Sequence, residues 1–323
     1  MKLVSVVVPC YNEEEVLPMF YDEITKVTDG MTAKWPELAF EFLFINDGSK
    51  DRTLEIFRSL ADKDKRVRYI SFSRNFGKES GMYAGLSNAK GDYVVVMDAD
   101  LQHPPEFLPE MYSYVSSGEY DCATTRRTSR EGESKVRSWF AMKFYKIMNK
   151  ISQTEIVDGA QDFRFMTRQM VDAILQMSEY NRFSKGIFSW VGFRVKYMPY
   201  KNVERPAGTT SWSFWGLFRY SLEGIMAFST APLALAILFG ILSCAASLIL
   251  YICAIVSACN YGDGAGTLAI IATVLLVGGV DMICTGVLGQ YLGKTYMESK
   301  HRPIYIASET DETYRSKKQA PKS

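Results

Sequence analysis

From Phe228 through Gly262 no charged residue interrupts the chain, a run that a small soluble core cannot absorb. Within it Ala231–Ser257 exceeds the about 20 apolar residues a helix needs to cross hydrocarbon. A Gly-rich turn around Tyr261-Gly262-Asp263-Gly264 separates it from a second apolar segment, Thr267–Leu292, interrupted by Asp281. The pair predicts a two-helix membrane anchor; the alternative is a buried helical hairpin. The turn carries no Lys or Arg, whereas Lys294, Lys300, Arg302, Arg315, Lys317 and Lys318 follow the second segment. Positive charge favours the cytoplasmic side, so both termini are expected in the cytoplasm, with the turn outside. A carboxylate at membrane depth needs a partner, and Asp281 is read as pairing with a neighbouring helix or another subunit.

Ahead of the anchor, Trp212, Phe214, Trp215, Phe218 and Tyr220 crowd the segment Trp212–Ser229. Aromatic residues at the entry to a span predict an amphipathic helix lying in the interface. The polar tail after Glu309 is expected to be disordered. A net charge of +1 argues against nucleic acid as the partner. The six cysteines form no Cys-x-x-Cys pair, so neither a zinc site nor a disulfide framework is indicated. The apolar run Leu3–Val8 is too short for a signal peptide and ends at Pro9, so the N-terminal domain is expected to stay in the cytoplasm.

Between Lys2 and Thr125 short β-rich runs alternate with amphipathic stretches. Strands are predicted at Leu3–Val8, Phe40–Ile45, Val67–Phe72, Tyr93–Met97 and Cys122–Thr125, and helices at Glu13–Val27, Thr53–Ala61, Glu79–Asn88 and Pro105–Ser116. Asp51 is a candidate cap for the second helix. This order implies a largely parallel sheet covered on both faces. A longer helix, Glu133 to Lys150, is expected to lead away from it.

Open α/β sheets bind ligands beyond the carboxyl ends of their strands, and the loops there carry chemistry. After the first strand come Pro9, Tyr11, Asn12 and Glu13, an aromatic ring with helix-start amides suited to a nucleoside. After the second comes Asn46-Asp47-Gly48-Ser49-Lys50-Asp51, where a carboxylate could accept from a nucleobase N–H. After the third, Arg74 and Lys78 place two cations where a phosphate would sit. After the fourth stand Asp98, Asp100 and Gln102, oxygen donors of the kind hard divalent ions take. His103 is read as a loop residue, since such ions prefer oxygen.

Together these loops resemble family 2 glycosyltransferases, and among them the polyprenyl-phosphate type: dolichyl-phosphate mannose synthases and bactoprenol glucosyltransferases. The likeness extends to Asp162-Phe163-Arg164, to Arg205 with Ala207-Gly208, and to Gly289-Gln290-Tyr291-Leu292-Gly293 before His301-Arg302-Pro303. It implies an α/β domain of the GT-A, Rossmann-like fold over residues 1–210, an interfacial helix over 211–229, two transmembrane helices over 230–293 and a cytoplasmic tail over 294–323. It implies that Pro9, Tyr11, Glu13 and Asp47 hold the nucleoside, with Lys78 near the sugar nucleotide. Asp98 would contact ribose or metal, while Asp100 and Gln102 would coordinate Mg²⁺ or Mn²⁺. It also implies inversion at the anomeric carbon, a homo-oligomer, and a UDP-sugar in preference to a GDP-sugar. Asn46 departs from the family's usual Asp, Ser211 from a common Lys, and Gln290 from a frequent Glu.

A lipid phosphate acceptor, with a second pKa near 6, is already anionic at neutral pH and needs cations to place it rather than a strong base. Arg126, Arg127, Arg130, Arg137, Arg164 and Arg205 are available, and arginine forks match phosphate oxygens. Arg127, Arg164 and Arg205 are the candidates for that role, and Asp162, near Asp158, is the candidate catalytic or acceptor-side carboxylate. The expected reaction is metal-dependent transfer of a monosaccharide from a nucleotide sugar to polyprenyl phosphate by a multi-pass protein of the cytoplasmic membrane. Two alternatives compete. A processive polysaccharide synthase would carry Gln-x-x-Arg-Trp, which Gln161-Asp162-Phe163-Arg164-Phe165 only approaches. A non-catalytic membrane scaffold would bind the nucleotide without transfer. A dehydrogenase is disfavoured because Gly-x-Gly-x-x-Gly is absent after the first strand.

Overall fold

Strand β1 (Lys2–Cys10) is apolar nearly throughout, as a strand with neighbours on both edges and helices on both faces must be. It pairs in parallel with β2 (Leu38–Asn46) on one side and β4 (Tyr93–Val96) on the other, so that Val6 lies opposite both Phe42 and Val95. The computed structural model describes residues 1–127, 157, 159–200, 226, 229, 231–261 and 265–319. The expected helix Glu133–Lys150 lies outside them, as do Arg130, Arg137, Asp158, Arg205 and nearly all of the expected interfacial helix.

The remaining strands are β3 (Val67–Phe72), β5 (Cys122–Arg127), β6 (Ala160–Thr167), β7 (Val195–Tyr200) and β8 (Ala307–Thr310). Their order across the sheet is β7-β5-β6-β4-β1-β2-β3-β8. Six strands run one way; β6 and β8 run against their neighbours. The sheet is therefore largely parallel, but β5 does not adjoin β4 as the simple alternation suggests. The unforeseen strand β6 lies between them. Its alternation of Asp162 and Arg164 with Phe163 and Phe165 hides a strand whose one face carries charge.

Helices α1 (Leu17–Lys34), α2 (Thr53–Lys63) and α4 (Leu108–Ser116) cover one face with Val4, Val6, Val8, Phe42 and Phe44 in the core. Helices α3 (Lys78–Asn88), α5 (Arg168–Gln176) and α6 (Ser184–Trp190) cover the other, over Val7, Leu43, Ile45 and Val94. Helix α1 starts four residues later than expected because Pro18 favours the first turn, and it continues past Gly30 to bury Met31. The expected helix from Pro105 divides into a 3₁₀ turn, Pro105–Phe107, and α4, with Pro109 in its first turn. Arg52, not Asp51, occupies the cap position of α2; Asp51 instead accepts from the Thr53 N–H and hydroxyl.

A Cβ added to Gly85 would stand 2.0 Å from Cγ1 of Val7, so α3 lies on β1 more closely than any side chain permits. Gly85→Ala is expected to destabilise the domain by roughly 1–3 kcal/mol through overpacking, measured as a lowered thermal midpoint.

The connections run outward from β1 to β2 to β3 and then cross back to β4 on the opposite side. The sheet therefore has its topological switch point between β1 and β4, where open α/β sheets form their ligand crevice.

Helices α7 (Ala231–Tyr261) and α8 (Ala265–Ser299) form an antiparallel pair. The Tyr291 hydroxyl donates to the Ser229 carbonyl, and the Cys284 thiol lies against that of Ala236. The stretches Pro232–Cys253 and Ala269–Ser299 are long and apolar enough to cross a membrane, and their side chains are largely exposed, unlike core helices of a soluble domain. Asp281 lies exposed on α8.

The expectation of a disordered tail is overturned. Strand β8 pairs antiparallel with β3, and α9 (Asp311–Gln319) follows on the same edge. Glu309 receives a two-pronged bond from Arg58 at 2.9 and 2.7 Å and another from the Tyr69 hydroxyl at 2.7 Å. Asp311 is buried, and Arg315 donates to the carbonyls of Ala61 and Val67. Polar composition concealed the order because the segment is held largely by paired charges and a sheet edge, with Tyr314, the aromatic ring of α9, packed against Tyr69 and the core.

Candidate active site

Four loops meet at the switch point. After β1, Asn12 takes a left-handed backbone (φ 56°) and is bonded both ways to the loop after β2: its N–H donates to Ser49 Oγ and its Oδ1 accepts from the Lys50 N–H, each at 2.9 Å. The Glu13 N–H donates to Thr53 Oγ1 and that of Glu14 to Asp51. Tyr11 remains exposed beside this seam. Asn46, the departure from a usual Asp, is buried; its amide donates to Ser71 Oγ and its Oδ1 accepts from the Ser49 N–H.

Asp47 is 4% exposed. Its two oxygens accept from the N–H groups of Phe76 (2.6 Å) and Gly77 (2.9 Å), tying the second loop to the third. Burial pushes its carboxyl above the usual range, opposed by those bonds and by Arg74. Gly48 makes the approach possible: at φ 65°, a Cβ on it would lie 2.3 Å from the Arg74 carbonyl carbon. Arg74 stacks over Phe76 at 4.1 Å.

Lys78, the first residue of α3, is the centre of the site. Its ammonium lies 2.8 Å from Asp98 Oδ1 and 2.7 Å from Asp162 Oδ2. The structure thus joins a carboxylate from the end of β4 to one from β6 through a single cation. Burial alone would raise the Asp162 carboxyl, but Lys78, then Lys185, and Arg164 hold it well below the usual carboxylate range. The two carboxylates in turn hold the Lys78 ammonium well above its usual range against burial.

Beyond Asp98, Ala99 is buried and Asp100 is 7% exposed. Leu101 takes a left-handed backbone (φ 55°), rare for a branched residue, which turns the chain so that the Gln102 N–H donates to Asp100 at 3.1 Å. Among the described residues no group of three or more His, Cys, Asp or Glu side chains is placed to hold a metal. Two carboxylates and one amide oxygen nonetheless fit a hard divalent ion that takes its other ligands from a diphosphate and water, as Mg²⁺ does. Asp98, Asp100 and Gln102 are therefore the residues that would hold one. His103 is buried between Phe163 and Tyr200, with ring centroids 5.9 and 5.6 Å away, in keeping with a loop residue rather than a ligand.

Arg127, at the end of β5, donates its backbone N–H to Gly159 and contributes a positive charge near Tyr200. Arg164 is 3% exposed with its guanidinium 4.4 Å from the Phe188 ring centre. In this position it packs β6 against α6 and adds its positive charge to the surroundings of Asp162.

Three residues escaped the sequence reading. Glu79 accepts from the N–H and hydroxyl of Ser184, bracing α6 beside Lys78. Lys185 follows that Ser and acts on Asp162, and Tyr200 lies near Arg127, Asp98 and Asp100. No local pattern marks them: Lys185 and Tyr200 reach the site from a short helix and a strand distant in sequence, and Glu79, though next to Lys78, gains its role only when Ser184 is brought opposite it. At the far end of the same segment, Glu298 of α8 accepts the backbone N–H groups of Tyr180 (3.0 Å) and Asn181 (3.2 Å), joining the apolar hairpin to the loop before α6.

The chain is 41% identical over 310 residues to CsbB of Bacillus subtilis (strain 168), covering 96% of this chain and 92% of that protein. It is 39% identical over 304 residues both to the prophage bactoprenol glucosyl transferase homolog of Escherichia coli (strain K12) and to the bactoprenol glucosyl transferase of Shigella phage SfV, in each case covering 94% of this chain and 97% of the relative. Among solved structures, glucosyl-3-phosphoglycerate synthase from Mycobacterium tuberculosis, in complex with Mn²⁺, UDP-glucose and phosphoglyceric acid, overlaps 70% of this chain and 78% of that chain at 20% identity, with a TM-score of 0.46. The family described as Glycosyl transferase family 2 matches residues 5–175, from β1 to the end of α5. The chain belongs to glycosyl transferase family 2, and it is a glycosyltransferase.

Proposed function

We propose that this enzyme transfers a monosaccharide, with inversion, from a nucleotide sugar to polyprenyl phosphate at the cytoplasmic face of the membrane. The observation that carries the reading is the convergence of Asp98 and Asp162 on Lys78, with Asp100 two residues beyond Asp98, in a domain continuous with two exposed apolar helices. The names of the relatives in Escherichia coli and Shigella phage SfV support bactoprenol as acceptor and glucose as the sugar. UDP-glucose is accordingly the proposed donor.

In this reading Pro9, Tyr11, Glu13 and Asp47 line the nucleoside side, and Asp47 also fixes the loop that presents Lys78. Asp98, Asp100 and Gln102 would hold Mg²⁺ or Mn²⁺, which when bound stabilises the diphosphate charge that develops as the glycosidic bond breaks. Lys78 balances the same charge from the opposite side. Asp162 is ionised far below neutral pH, which makes it a weak base. A phosphate acceptor, already anionic, asks for none. Asp162 therefore works by holding Lys78. Arg127 and Arg205 are the proposed cations for the acceptor phosphate. In-line attack by a phosphate oxygen on the anomeric carbon inverts its configuration and releases the nucleoside diphosphate. The positive charges following α8 support cytoplasmic termini, and exposed Asp281 supports a homo-oligomer in the bilayer.

The test is transfer of labelled sugar to undecaprenyl phosphate by membranes supplied with Mg²⁺ or Mn²⁺ and a panel of nucleotide sugars. Labelled lipid-linked sugar from UDP-glucose is the expected result. Discharge onto water-soluble alcohols with the isoprenoid ignored would sink the reading.

A further inference from the structure

We infer that Lys78 competes with the divalent ion for Asp98, so that ion and donor diphosphate bind as a coupled pair rather than independently. The inference rests on the nucleotide-sugar reading of this site and adds the order in which its charges are satisfied.

The Lys78 ammonium reaches both oxygens of Asp98, at 2.8 and 2.9 Å, and Asp162 at 2.7 Å. Asp98 thus spends both oxygens on one cation. A divalent ion that takes Asp98 as a ligand must draw an oxygen away from the ammonium, leaving two cations facing each other across one carboxylate.

The backbone gives Lys78 no route of retreat. The two residues before it donate their N–H groups to buried Asp47, and Glu79 after it is fixed by Ser184. Only its side chain can swing, pivoting from Asp162. A diphosphate removes the conflict because its oxygens ligate the ion and also accept from the ammonium. With Asp98, Asp100 and Asp162 fixed, its negative charge is what two neighbouring cations require. Ion and nucleotide should then raise each other's affinity by the same factor, as linkage demands.

Lys78→Met keeps the stem and removes the charge. Free Mn²⁺ is followed by electron paramagnetic resonance, with the full-length protein in detergent, with and without UDP. In the wild type, UDP is expected to tighten Mn²⁺ binding by about 5–150-fold, the usual span of coupled sites. In Lys78→Met, Mn²⁺ alone should bind about tenfold or more tighter than to the wild type, UDP should bind more weakly, and the coupling factor should fall toward one. Lys78→Arg, which keeps the charge, should retain most of the coupling and guards against a misfolded Met variant. Unchanged or weaker Mn²⁺ binding to Lys78→Met, with wild-type coupling intact, overturns this inference alone. A wild type that binds no Mn²⁺ even with UDP overturns the site reading beneath it.

Discussion

Asp100→Ala is expected to lower sugar transfer by about 10²–10³-fold or more, the scale on which one preorganised electrostatic contact acts in a closed site. Asp100 is buried at the turn made by Leu101, and its carboxylate accepts the backbone N–H of Gln102. Removing a negative charge beside Asp98 relieves repulsion, so the fold should persist. Initial rates with membranes, together with a circular-dichroism melt of the purified variant, check both halves of the statement. Turnover within a few-fold of wild type in a folded Asp100→Ala variant would exclude the proposed ion site.

Asp162→Asn is the second large effect, and its pH dependence separates two roles for the residue. The substitution leaves Lys78 with Asp98 alone, and a loss of about 10²-fold in kcat is expected from misplacing the ammonium. Because the folded protein holds the Asp162 carboxyl below its unfolded value, its contribution to stability is complete above about pH 5 and is lost only as pH falls through the depressed value. No limb of the rate profile between pH 5 and 9 should therefore belong to Asp162. A limb near pH 6 belongs to the acceptor phosphate and should stay in place in Asp162→Asn. If the variant abolishes that limb instead, Asp162 is a titrating base and the positioning role is wrong.

Much of the site was legible because its parts follow strands that announce themselves. Tyr93-Val94-Val95-Val96 reads as a buried strand, so Asp98 and Asp100 fall at its carboxyl end without further information. The same holds for Asp47 after β2 and Lys78 after β3. What stayed hidden depends on long-range pairing. That Asp47 binds the Phe76 and Gly77 amides, that Lys78 spans Asp98 and Asp162, and that Arg164 lies under Phe188 are facts of tertiary approach. β6 carries Asp162 to the site only because it inserts beside β4. The tail misled for a different reason: Glu309, Asp311 and Arg315 look like solvent-seeking charges until Arg58, Tyr69 and the ends of α2 and β3 appear opposite them.

The position of β8 sets an order of events during synthesis. Its partner β3 leaves the ribosome more than two hundred residues earlier, with both apolar helices translated in between. The nascent catalytic domain therefore waits with one sheet border unpaired, the kind of border that invites intermolecular β-pairing, until the hairpin has been delivered. Completion of the sheet is in this way tied to translation of both apolar helices, and chains cut off before Ala307 should be the ones that aggregate or are degraded.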